Sequence, residues 1–185
     1  WPKIGVQYNK VVEHVVRENI LIEKKEDIPF DISLLPQFSM KHIMRLTDST
    51  GIIQHAKFST PNWKEGYCLC DNSRALFLAL KAYKIKKQES ALKLCSVYLS
   101  YIYYMQNDDG NFRNFLSFSR QYLDEVGSED SFGRTIWAIG YLIDNPPNNS
   151  FSQIGREIFD KATPIFDQLQ SIRSIANTMI GISLY

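Results

Sequence analysis

Apolar residues along this chain recur at helical intervals, and the segments that carry them are of two kinds. In 88–106, Leu92, Cys95, Tyr98, Leu99, Ile102 and Met105 form a single stripe. The span 151–168 repeats this through Phe151, Ile154, Ile158, Ala162, Ile165 and Phe166. One stripe predicts a helix with one face in water. The runs at 75–80, 136–143 and 175–184 are apolar nearly all round, and a helix of that kind is covered on both sides. Further helices are predicted at 2–18, from Ile4, Val11, Val12, Val15 and Val16, and at 34–47, from Leu35, Phe38, Ile43, Met44 and Leu46. Pro36 is tolerated in the first turn of the latter. Residues 19–33 read as a connector and 48–70 as a long polar loop. The helix over 71–84 takes Asp71 or Asn72 as its N-cap. Asn107, Asp108, Asp109 and Gly110 make a turn, 111–118 a short extended piece, and Pro146, Pro147, Asn148 and Asn149 break the chain between helices at 129–143 and 151–168. A last helix covers 171–184.

The alternation predicts an outer layer of striped helices over an inner layer of apolar ones. Segments 72–83, 131–143 and 173–184 should be more buried than 88–106 and 151–168. A weak internal repeat supports this: Asp71 to Leu76 recurs as Asp130 to Ile136, and Ser171, Ile172 and Arg173 are a fainter third copy. Each copy opens an apolar helix with a polar residue and an arginine. Repeated outer–inner hairpins, at 34–84, 88–143 and 151–184, give an all-α fold of the α/α hairpin toroid type. About three hairpins make half of an (α/α)6 ring. Half a ring leaves Ile175, Met179, Ile182 and Tyr185 without cover. That implies a homodimer through the open faces, burying on the order of 1,000 Å², or a longer protein that completes the ring. The start at Trp1 is neither a signal peptide nor an initiator methionine, which also points to a longer protein.

Charge and cysteine usage narrow the function classes. A net charge of +1 gives no field for nucleic acid, and no apolar stretch reaches the ~18 residues a membrane span needs. Neither partner is expected. The cysteines, Cys68, Cys70 and Cys95, are odd in number and form no disulfide framework, which argues for reduced thiols and the cytoplasm. Cys68 and Cys70 are too close in sequence for a relaxed disulfide and lack metal-ligand partners at usable spacing. No metal and no cofactor are expected.

In a ring of hairpins the N-termini of the inner helices share one rim, where partial positive charge gathers. Asp71, Asn72 and Arg74 stand there from one helix, and Glu129, Asp130 and Arg134 from the next. The loops add His55, Trp63, Tyr67 and Asn114. Carboxylates, aromatic rings and polar donors on one rim suit a carbohydrate, whose apolar faces stack on rings and whose hydroxyls need polar partners. Glycosidic hydrolysis needs two carboxyl groups, about 5–5.5 Å apart for retention or ~6.5–9.5 Å for inversion, and Asp71 with Asp130 or Glu129 is the pair on offer. A plainer reading stands beside it. First-turn acids favour the helix dipole and pair with an arginine one turn on, His55 bonds to backbone, and Trp63 and Tyr67 merely cover the mouth. Acids at glycosidase separation around an open cleft would favour catalysis; acids consumed by Arg74 and Arg134 would favour binding or structure.

The segments LTDSTGIIQHAKFSTPNWKEGYCLCDNSRALFLAL (46–80) and GNFRNFLSFSRQYLDEVGSEDSFGRTIWAIG (110–140) resemble a bacterial domain found fused to, or encoded beside, glycosyltransferases, one of the six-hairpin (α/α) toroids of carbohydrate-active proteins. The resemblance covers roughly 34–185. It implies the toroid fold and a carbohydrate partner, and, with the opening residues resembling the last helix of a glycosyltransferase, a glycosyltransferase domain in the same chain. Residues 1–33 would be its tail and 34–185 the toroid-like domain. The matching positions include Asp48, Gly51, His55, Tyr67, Cys68, Asp71, Asn72, Arg74, Asn114, Arg120, Glu129, Asp130 and Arg134. Cys70 stands where the pattern often has an aspartate and Phe132 where it often has a histidine. Two functions follow as expectations: a glycoside hydrolase-like enzyme with Asp71 and Asp130 or Glu129 as acid and base, or a non-catalytic carbohydrate-binding or scaffold domain serving a glycosyltransferase.

Overall fold

The computed structural model describes residues 6, 9–14, 16–17 and 37–185. The chain divides into two units, Trp1–Phe38 and Ser39–Tyr185. In the first, 9–14 and 16–17 are helical and exposed, inside the span predicted as a helix; the connector at 19–33 and positions 34–36 lie outside the described residues.

The second unit is mostly helical: α1 (Lys41–Leu46), α2 (Leu69–Lys86), α3 (Glu89–Met105), α4 (Glu129–Asp144), α5 (Asn149–Ala162) and α6 (Ile172–Leu184). Two antiparallel ribbons interrupt them, β1 (Ala56–Lys57) with β2 (Thr60–Pro61), and β3 (Tyr67–Cys68) with β4 (Phe115–Leu116). Capping fixes several boundaries. The Ser128 hydroxyl accepts from the Ser131 amide and opens α4, and the Asn148 side chain accepts from Ser150 and Phe151 and opens α5. The α2 helix ends on Lys87 in the left-handed region (φ 50°).

Three predicted boundaries are corrected. The helix expected over 34–47 begins at Lys41, where the Ser39 hydroxyl takes up the Lys41 amide (3.3 Å), and Phe38 lies outside it, exposed. The α2 helix starts at Leu69, so Asp71 and Asn72 sit inside its first turn rather than at its cap. The α-helix over 151–168 stops at Ala162 and continues as a 3₁₀ turn over Thr163–Gln168, because Pro164 has no amide hydrogen for the α ladder.

Of the helices consecutive in the chain, α2 packs on α3 and α4 on α5, rather than 88–106 on 129–143. Short connections hold those pairs together, whereas the link from α3 to α4 runs over 106–128. The apolar helices lie side by side, α2 on α4 and α4 on α6. Between α2 and α4 the fully buried Ser73 hydroxyl meets Thr135 at 2.9 Å, and Thr135 donates onward to the Ser131 carbonyl (2.8 Å). Leu76, Ala79, Ile136, Ile139 and Leu142 fill the surrounding core with Tyr98, Ile102, Met105 and Ile158. Phe132 is part of it, packed against Phe112 (5.6 Å between centroids) and Phe166 (6.1 Å).

The predicted burial order holds for α2 and α4 and fails for α6. There the buried residues are Ser174, Thr178 and Gly181, while Ile172, Ile175, Met179, Ile180, Ile182 and Tyr185 are exposed. The cause is the seam with α4. A Cβ on Gly140 would stand 2.8 Å from the Gly181 Cα, and one on Gly181 would stand 2.8 Å from the Ile136 carbonyl carbon. The two backbones touch, so α6 turns its small residues inward and its large ones outward.

Gly140→Ala tests that seam. The methyl group meets backbone that cannot swing away, so the variant should be destabilised by about 1–3 kcal/mol, read as a lower urea midpoint with an unchanged slope.

Candidate functional site

The N-terminus of α2 gathers more polar chemistry than any other place among the described residues. The β3–β4 ribbon sets Cys68 opposite Phe115, and the Leu69 amide donates to the Asn114 carbonyl (2.8 Å). Asp124 holds the other side of this strand: its carboxylate accepts from the Asn114 amide (3.1 and 2.9 Å) and the Phe115 amide (2.9 Å). Asn72, wholly buried, accepts from the Ile52 amide (2.9 Å) and donates to the Cys68 carbonyl (2.9 Å). Gly51 faces that carboxamide, and a Cβ there would lie 3.1 Å from its Cγ. Asp48 accepts from Thr50 (2.7 Å) and Gly51 (3.2 Å), and its second oxygen takes the Tyr67 hydroxyl at 2.5 Å. Tyr67 is buried, and its hydroxyl is pushed up to about 12, first by burial and then by that bond to Asp48.

This framework brings two thiols together. The sulfurs of Cys68 and Cys70 lie 3.1 Å apart, and Cys68 Sγ is 3.4 Å from Asn114 Oδ1. Cys70 Sγ is 3.9 Å from Asp71 Oδ1 and 4.0 Å from Arg74 Nη2. With Cys68 donating, the Cys70 thiol falls below its ordinary value; the hydrogen bond is the main cause, and Arg74 and Arg134 add to it. The same bond, followed by burial, raises Cys68 far above the usual thiol range. Cys95 lies in the core, as the sequence predicts, and burial lifts it to about 12. Nearby, the Tyr101 hydroxyl is buried and finds no hydrogen-bond partner. Burial raises it most, followed by the negative charge of Cys68, Asp124, Asp71 and Cys70.

The expected acids are each engaged. Asp71 pairs with Arg74 on the next turn. Asp130 pairs with Arg134 (2.9 Å) and lies 3.5 Å from Arg173 of α6. Glu129 points the other way: its carboxylate accepts from the Gln170 (2.9 Å) and Ser171 (2.6 Å) amides at the start of α6, and its carbonyl accepts from the Ser174 hydroxyl (2.6 Å). Glu129 therefore caps the neighbouring helix. Arg74 and Arg134 line one cavity of about 190 Å³ between α2 and α4 with Ser73, Phe77, Trp137 and Ala138.

His55 and Trp63 come from the loop that leads into β3. The His55 carbonyl accepts from the Asn62 amide (2.8 Å) at the base of the β1–β2 hairpin, and its side chain is exposed. Trp63 is 61% exposed and stacks on Phe118, centroids 5.3 Å apart and planes 8° from parallel; Phe118 lies nearly parallel to Tyr67 behind it. Around this stack stand Asn62 and Glu65, joined at 3.3 Å, and Ser117 and Ser119, joined at 3.0 Å. At the hairpin tip Phe58 is 92% exposed with φ 57°, a backbone region that a bulky side chain rarely adopts.

Sequence reasoning places Asn72, Arg74, Asn114 and Asp71 around one helix start and misses the thiol pair as chemistry, because Asn114 joins it only through strand pairing. It misses Asp124 too, for which an isolated aspartate offers no signal. Asp48 is named only through the family resemblance; the sequence reading gives it no role of its own. A scan against protein-family models finds no match for this chain, and a search of curated proteins finds none either.

Cys70 should be the first thiol alkylated by iodoacetamide at neutral pH, ahead of Cys68 and Cys95. A lowered value keeps thiolate present below the ordinary thiol range, and the rate should fall as pH drops through it. Cys68→Ala removes the donor, so the Cys70 rate near pH 7 should drop about tenfold for each unit its value rises. Site-resolved mass spectrometry across a pH series reads both effects.

Proposed function

We propose that this chain is a non-catalytic carbohydrate-binding domain, part of an α/α toroid that serves a glycosyltransferase. The observation that carries the binding reading is the exposed Trp63–Phe118 stack with its polar surround. A flat, solvent-facing indole backed by a parallel ring offers a rigid apolar plate at low entropic cost. Asn62, Glu65, Ser117 and Ser119 offer donors and acceptors at its edge. A pyranose ring needs both, since its C–H face is apolar and its rim carries hydroxyls. Phe58 supports the same reading: a fully displayed aromatic ring in a strained backbone conformation is a feature of ligand-contacting loops. The toroid and the glycosyltransferase are supported by the likeness of 46–80 and 110–140 to that family, and by the side-by-side packing of α2, α4 and α6.

The acids favour binding over hydrolysis. A glycosidase presents one carboxyl group to the scissile oxygen and a second to the sugar or a water. Asp71 and Asp130 instead face arginines on their own helices, and Glu129 is consumed by the amides of α6.

Titration with a panel of soluble oligo- and polysaccharides, read by tryptophan fluorescence and calorimetry, should find at least one ligand. Trp63→Ala should weaken it at least tenfold, a loss of about 1.4 kcal/mol, while Asp71→Asn and Asp130→Asn leave binding in place and no reducing ends appear with the wild type. Release of reducing ends that stops in Asp71→Asn would instead establish the hydrolase.

A further inference from the structure

The donors at the start of α2 are of a kind and spacing that the carbohydrate reading does not use. The ligand atoms of Cys68, Cys70 and Asp71 all lie within 4.8 Å of one another, and Asn114 Oδ1 is 3.4 Å from Cys68 Sγ. From these we infer that Cys68, Cys70, Asp71 and Asn114 form a binding site for one thiophilic divalent cation of the zinc class.

Geometry is the first argument. With metal–sulfur bonds of ~2.3 Å and metal–oxygen bonds of ~2.0 Å, a tetrahedral site sets its sulfurs roughly 3.8 Å apart and sulfur and oxygen roughly 3.5 Å apart. The separations here are 3.1 Å between the sulfurs, 3.4 Å from Cys68 to Asn114 and 3.9 Å from Cys70 to Asp71. Small side-chain rotations close the differences. Two sulfurs with two oxygens select zinc, cadmium or cobalt(II) over magnesium or calcium, which take oxygen alone.

Support around the donors is the second argument. Asp124 and the Leu69 amide pin the Asn114 backbone on both sides, and Asn72 pins Cys68 through its carbonyl. Such outer partners set ligand orientation in metal sites. Arg74 lies against both Cys70 and Asp71. It balances the single negative charge left when two thiolates and a carboxylate hold a divalent ion. Loading releases the two thiol protons to solvent, so the exchange is balanced without any oxidant.

Cobalt(II) is the probe. The reduced full chain, with all three thiols verified free, is titrated with cobalt under argon. One equivalent should produce a sulfur-to-cobalt charge-transfer band and the intense visible bands of tetrahedral cobalt, and zinc should displace both. Cys70→Ser should at least halve the charge-transfer intensity, Cys95→Ala should leave it unchanged, and Asp124→Asn should weaken binding roughly 10- to 100-fold. Should a variant unfold, the wild type still decides, because zinc must protect Cys70, the accessible thiol of the pair, from alkylation. No band at saturating cobalt with three free thiols overturns the site. So does a band of undiminished intensity in Cys70→Ser, or equal alkylation of Cys70 with and without zinc.

Discussion

The carboxamide of Asn72 has no access to water, and both of its ends are used inside the protein. Its oxygen holds the Ile52 amide and its nitrogen holds the Cys68 carbonyl, at 2.9 Å each. That one side chain fastens the polar loop around Gly51 to the first turn of α2. The loop carries Asp48, which in turn fixes Tyr67, and Tyr67 backs the aromatic stack; the turn carries the thiols and Asp71. An unsatisfied buried amide costs on the order of 1–3 kcal/mol, so neither partner can leave alone. The aromatic face and the thiol cluster thus share a single anchor, although they offer different chemistry.

The charged mouth of α4 has a structural explanation. Glu129 serves α6 rather than α4, as the acceptor its first amides lack. Asp130 gathers two arginines, one from its own helix and one from α6. A helix apolar on all sides beyond its first turn needs neighbours held at a fixed height, and these polar groups supply the height while the seam supplies the contact. The Ser73–Thr135 bond does the same between α2 and α4.

Helical periodicity made most of the fold legible. The stripe through Cys95, Tyr98, Leu99, Ile102 and Met105 is buried as its spacing predicts, and the all-apolar run in α4 is covered. Periodicity misled at α6, because it counts Ile and Met as inward residues wherever they fall. Glycine and serine took the inward positions once backbone contact became available. Capping rules found Ser128 and failed at Asp71, whose place at the cap went to Cys68 through strand pairing with Phe115. At the candidate site, the residues were readable and their partners were not. Nothing local to Asn114 says that it lies beside Cys68, and nothing local to Glu129 says that it serves the next helix.

Where α4 and α6 meet, no layer of side chains lies between the backbones. Ordinary helix interfaces are cushioned by rotamers that shift before the main chain does; this one has no such give around Gly140 and Gly181. The spacing of the two helices at this point is therefore set by main chain rather than by rotamers. The outward row of Ile172, Met179 and Ile182 thus stands on a helix whose height over α4 is set by main chain, and whose N-terminal end is tied by Arg173 to Asp130 and by the Gln170 and Ser171 amides to Glu129.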